Sequence, residues 1–199
     1  MFYSIKGFKY GAKMYNILKK ELINDEEILW SGQGDSKKLF TTGDAFMIPF
    51  SLMWGGFAFF WETSVLMMDA PLLFKIWGIP FVLIGLYMIF GRFFYKKLKK
   101  EKTLYAITNK RIFIIETLIK LNITSEFIKN LPAINKSVNK KGIGNIIFGT
   151  GSFGVGMYAN SGLDVFGNIR NGIPIGFYDI PNVESVYKKI IELKNNEEK

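Results

Sequence analysis

The chain of 199 residues contains no cysteine and no histidine. Without cysteine there are no disulfides, thiolate metal sites or cysteine nucleophiles. Without histidine, serine–histidine catalysis, histidine-ligated zinc and imidazole acid–base chemistry are also excluded. An enzyme here would have only Asp, Glu, Lys, Tyr and Ser to work with. Acidic residues are the minority: 17 Asp and Glu against 26 Lys and Arg leave a formal net charge of +9. Such a balance suits nucleic acid, a membrane surface or a positive-inside membrane protein, and the position of the charges decides between them.

Charge is missing altogether from two stretches, 45–61 (AFMIPFSLMWGGFAFFW) and 76–91 (IWGIPFVLIGLYMIFG). With its flanks, each reaches the roughly 20 residues that a helix needs to cross a hydrocarbon core. More than forty residues precede the first, so neither reads as a cleavable signal. The turn between them is Met68, Asp69, Ala70 and Pro71, with Pro71 suited to the first turn of the second helix. The expectation is an antiparallel hairpin of two spans over 44–95, with Gly55, Gly56, Ala58, Gly78 and Gly85 offering small contact surfaces. Seven lysines lie in 1–43 and six Lys or Arg in 92–102, while the tip holds none. Both termini are therefore expected in the cytoplasm. Glu62 and Lys75 stand nearly equidistant from the tip and are expected as an intramembrane ion pair. Read functionally, they mark an ion or proton pathway; read structurally, they neutralise each other near the headgroups.

The segment 1–43 combines a loosely amphipathic helix (Tyr10, Met14, Ile17, Leu18, Leu22) with an acidic stretch ending at Trp30. The helix fits either the inner leaflet or the cytoplasmic domain, and Trp30 either an interfacial anchor or a core aromatic. The basic linker 96–102 comes directly after the second span. Its Lys96, Lys97, Lys99 and Lys100 are candidate contacts for anionic lipid. A basic run abutting a membrane helix argues against nucleic acid as partner.

From Thr103 onwards the pattern is that of strands. TLYAITNKRIFIIE alternates around an Asn109-Lys110 turn, with Asn able to take a positive φ. Strand-like runs recur in 118–128, 133–138, 144–149 and 172–180, with NKKG (139–142) as a second turn. A helix starting near Pro181 carries the stripe Val183, Val186, Tyr187, Ile190 and Ile191, with Asp179 as a cap. Residues 103–199 thus read as antiparallel strands closed by one helix.

Across most of the chain, EEILWSGQ (26–33), the two apolar runs, TLYAITNKRIFII (103–115), KKGIGNIIFG (140–149) and DIPNVESVYKKI (179–190) resemble the bacterial pleckstrin-homology-like (PH) membrane proteins. The most specific element is the set Thr103, Tyr105, Ile107, Thr108, Asn109 and Arg111. The resemblance implies a bent antiparallel sheet capped at one end by the C-terminal helix, in a membrane-associated, non-enzymatic protein.

The glycine-rich stretch 142–176 contains Gly149, Gly151 and Gly154 in the G-x-G-x-x-G pattern. A dinucleotide site needs a helix directly afterwards, but Gly156, Gly162, Gly167 and Gly172 interrupt the residues beyond Gly154. A kinase needs a later histidine-containing loop, and the chain has none. The glycines read as turns and bulges; Phe153, Val155, Met157, Tyr158 and Phe166 are alternatively a loop that touches lipid or a partner. No cofactor, metal or catalytic residue is expected. The expected function is binding of a protein partner, a lipid headgroup or copies of itself. The alternatives are an oligomeric transport component using Glu62 and Lys75, and an enzyme using Asp164 and Asp179.

Overall fold

The computed structural model describes residues 11–41, 43–149, 160–165 and 175–197. The elements begin with α1 (Gly11–Glu21), β1 (Ile28–Gly32), α2 (Asp44–Met67), α3 (Leu72–Trp77), α4 (Ile79–Leu86), a π-helical turn (Tyr87–Gly91) and α5 (Arg92–Glu101). They continue with β2 (Thr103–Thr108), β3 (Arg111–Glu116), β4 (Asn122–Phe127), a short 3-10 turn (Ile128–Asn130), β5 (Ile134–Val138), β6 (Gly144–Phe148), β7 (Ile175–Ile180) and α6 (Val183–Glu197). The chain forms two compact units. The first comprises Met1–Lys38, Lys97–Gly156 and Arg170–Lys199, and the second Leu39–Lys96 and Met157–Ile169.

The first unit is built on antiparallel sheets, β1-β2-β3-β4 and β5-β6-β7. The alternation of β2 serves two cores at once, because successive strand residues face opposite sides. Tyr105 and Ile107 join Ile112, Ile128, Ile146, Phe148 and Phe177, and α6 adds Val183, Val186 and Ile190. Leu104 and Ala106 face the other way, where Met14 and Leu18 of α1 cover them together with Phe113 and Ile115. The N-terminal helix therefore packs on the sheet. Trp30 is a core aromatic, stacked 5.9 Å from Phe177 and packed against the first cluster. The domain boundary also differs from the expected one: residues before the apolar segments supply a strand and a helix to the same unit as 103–156 and 170–199. The signal for this was weak, since β1 is only five residues long.

The second unit holds helices of inverted character. In α2 the buried residues are Asp44, Ser51, Gly55, Ala58 and Glu62, whereas Phe46, Leu52, Met53, Phe57, Phe60 and Met67 are exposed. Contacts run in opposite order along the two sides. Asp44 meets Arg92, Gly55 lies against Gly85 and Ile89, and Glu62 lies against Gly78. The helices are therefore antiparallel. A Cβ on Gly85 would come within 3.0 Å of the Gly55 α-carbon, so the backbones approach as closely as glycine alone permits. Among the described residues, one helical stretch, Leu72–Glu101, is long and apolar enough to cross a membrane. The expectation of two such helices is met only in part, because Asp44 and Glu62 fall within α2.

Candidate functional site

The residues shared with the PH-like pattern converge on Glu26. Arg111 donates to both Glu26 carboxylate oxygens, Nε at 3.1 Å and Nη2 at 2.6 Å, and the Thr108 hydroxyl donates to Oε1 at 2.7 Å. Thr108 Oγ1 also accepts the amides of Lys110 and Arg111. That closes the β2–β3 turn without a positive φ at Asn109. The Asn109 side chain instead reaches back, accepting from the Glu27 amide and donating to the Asp25 carbonyl. Burial alone would raise the Glu26 carboxyl. The Arg111 hydrogen bonds, the Ile23 amide and the Thr108 hydroxyl outweigh it and hold the group below its ordinary value. Tyr105 is buried beside Phe177, which pushes its hydroxyl above the ordinary value. Thr103 donates to the Lys99 carbonyl at the end of α5. Thr108, Asn109 and Arg111 thus form a clamp that binds the 25–27 segment to the turn.

The four candidate lipid-binding lysines do not form one patch. Arg92, Lys96 and Lys100 recur every fourth residue, which places them on one face of α5. In the second unit Asp44 takes Arg92 Nη1 at 2.5 Å and Lys96 Nζ at 3.1 Å, and accepts the Thr41 amide as well. In the first unit Asp179 takes Lys38 at 2.5 Å and Lys100 at 2.7 Å. Lys96 and Lys100 are 2% and 5% exposed, so both are spent on internal pairs. Lys97 is exposed and Lys99 half-buried. The four-residue spacing carried this information, but read as a basic run it suggested only a charged surface. Arg92 and Asp44 were missed for the same reason.

Asp179 is not the helix cap that the sequence suggested. It is fully buried at φ 52°, its amide donates to Asn145 Oδ1, and its carbonyl accepts from Asp35. Asp164 belongs to the second unit. No cluster of three acidic residues suited to a metal occurs among the described residues. Glu62 and Lys75 form no ion pair with each other among the described residues. Glu62 is 9% exposed, and its Oε2 is buried without a hydrogen-bond partner. Of the glycine pattern, Gly149 directly follows β6 with φ 113°. Gly151 and Gly154 lie outside the described residues, as do Phe153, Val155, Met157, Tyr158 and Phe166.

Comparison with family models, curated proteins and solved structures gives no match to this chain. The molecule is defined by its own geometry: an antiparallel, sheet-rich unit with helices, joined to a helical unit that includes one long apolar helix.

Proposed function

We propose that the chain is an integral protein of the cytoplasmic membrane that presents a PH-like, non-catalytic interaction domain at the inner face. Two helical spans, within 44–67 and 72–95, would hold it there with both termini cytoplasmic. The observation that carries this reading is the inverted burial of α2, where Asp44, Ser51 and Glu62 are inside and phenylalanines outside. In water this would expose far more apolar surface than a soluble monomer tolerates. In hydrocarbon it leaves the apolar side chains in lipid and hides the polar ones. The Lys and Arg on both flanks, and none at the tip, support the orientation. Antiparallel sheets with a C-terminal helix sharing their core support membership of the PH-like membrane proteins.

The domain's role would be to bind a protein partner, anionic lipid or another copy of the chain. Lipid contact would fall first to the exposed Lys97, since Lys96 and Lys100 are engaged elsewhere. The alternative is an oligomeric transport component using Glu62 and Lys75, which form no ion pair with each other among the described residues. Single cysteines in this cysteine-free chain test the placement. Asp69→Cys should react with an impermeant maleimide from outside intact cells, and Lys140→Cys only after permeabilisation. Release of the chain by alkaline carbonate, or labelling of both positions from one side, would refute the reading.

A further inference from the structure

We infer that the loop between β3 and β4, residues 117–121, is a second point of membrane contact, where Ile119 and Leu121 enter the interface of an anionic bilayer and Lys120 meets its headgroups. The inference rests on the membrane reading above and assigns the bilayer a surface of the sheet unit. Among the described residues of that unit, Ile119 and Leu121 are the two most exposed large apolar side chains, at 82% and 54%. Single exposed apolar residues are ordinary on a protein surface. Here two flank an exposed lysine in one short loop. The adjoining strands turn their own apolar residues inward: Ile115 of β3 is fully buried, and Ile123 of β4 packs against the same cluster.

The sheet topology points to what covers them. In an antiparallel sheet the β1–β2 and β3–β4 connections lie at one end and the β2–β3 turn at the other. Thr103 opens β2 opposite Glu116, and Glu116 lies opposite Asn122 of β4. The β1–β2 connection is the whole stretch 33–102, which holds both apolar segments. The chain therefore leaves the sheet unit for those segments, and returns from them, at the end that carries 117–121. Gln33 Nε2, on the outgoing chain, donates to the Glu101 carbonyl at 2.9 Å, and the Thr117 amide donates to the Lys102 carbonyl at 2.9 Å. With the apolar segments in the membrane, this end of the sheet is the tethered one. Charge agrees with that placement. Besides the internally paired Lys100, the segments 97–102 and 116–122 hold Lys97, Lys99, Lys102 and Lys120 against Glu101 and Glu116. Basic residues are drawn to an anionic surface, and apolar side chains among them gain by leaving water. An acidic protein patch would answer the lysines alone. A bilayer answers the lysines, the isoleucine and the leucine, and the tether supplies it at high local concentration.

The test uses the full chain in vesicles of phosphatidylcholine and phosphatidylglycerol, with a nitrobenzoxadiazole label on the single cysteine of Lys120→Cys. Nitroxides carried on lipid acyl chains, near the headgroup or near the chain end, quench a label according to its depth. The label at 120 should be quenched at least about twofold more by the shallow nitroxide than by the deep one, since interfacial contacts sit roughly 5–10 Å into the headgroup and acyl boundary. Lys110→Cys, in the turn at the opposite end of the sheet, should escape quenching, and Leu83→Cys, in α4, should be quenched by the deep nitroxide. Adding Ile119→Asn and Leu121→Asn should abolish quenching at 120. Quenching at Leu83→Cys without quenching at Lys120→Cys would overturn the loop contact and leave the membrane reading standing, whereas quenching at neither would overturn both. A label at 120 that is blue-shifted yet unquenched would place the loop against protein, a second copy included, and would also overturn the inference. So would quenching that survives the two asparagines. The measurements without the asparagines decide the matter even where the combined variant fails to fold.

Discussion

Arg111 and Glu26 are separated by 85 residues in sequence, yet two hydrogen bonds join their side chains. Removing one partner of a buried pair leaves the other uncompensated. Arg111→Ala should therefore cost roughly 3 kcal/mol of stability, read by thermal or denaturant unfolding in detergent. The pH dependence comes from Glu26. Its carboxyl lies below the ordinary value of 4.5 in the folded chain, so its contribution is complete above that value. The contribution is lost as pH falls through the lower folded-state value. Melting temperature should drop on acidification below about pH 4.5, and less steeply in Glu26→Gln, which starts from a lower stability. The lysines of α5 give a paired prediction. Lys97→Gln should change stability by less than about 0.5 kcal/mol, as exposed substitutions do. Asp179→Asn, which leaves Lys38 and Lys100 facing a neutral group, should cost roughly 3 kcal/mol. Equal effects at the two sites would refute the division of this segment into inward and outward lysines.

Among the elements, β2 and the α2–α4 pair show two opposite uses of apolar residues. β2 is buried along its whole length, so its alternation separates two cores. A period of two in the sequence announced the strand but not that its second face is covered, because α1 comes from far earlier in the chain. In α2 the small and polar residues are inside. Gly85→Leu should force the helices apart, since the obstacle is the Gly55 backbone and cannot turn aside. The expected loss is about 1–3 kcal/mol, the range of an overpacked contact, read as a lower melting temperature in detergent. A variant as stable as the parent would mean that the helices do not meet at Gly55.

At the scale of the whole molecule, the sheet unit is assembled from both sides of the apolar segments. A fragment of residues 103–199 would lack β1 and α1. It would leave an edge of β2 unpaired and Leu104, Ala106, Phe113 and Ile115 open to water. Such a fragment, although it lacks the apolar segments, should aggregate or bind a hydrophobic dye strongly in the absence of detergent. A well-folded, monomeric fragment would show that α1 and β1 are dispensable. By itself, the sequence determined the local features: the apolar runs, the charge asymmetry, the β2–β3 hairpin, the stripe of the last helix and the exclusion of thiol and imidazole chemistry. Each rests on neighbours a few residues apart, where periodicity and composition act directly. The tertiary structure decided which lysines face inward, where Trp30 and α1 pack, that Asp179 is a buried anchor and that Glu62 lacks its expected partner. Those outcomes depend on burial by distant segments, and no local pattern records which carboxylate will lie beside which cation once the chain has closed.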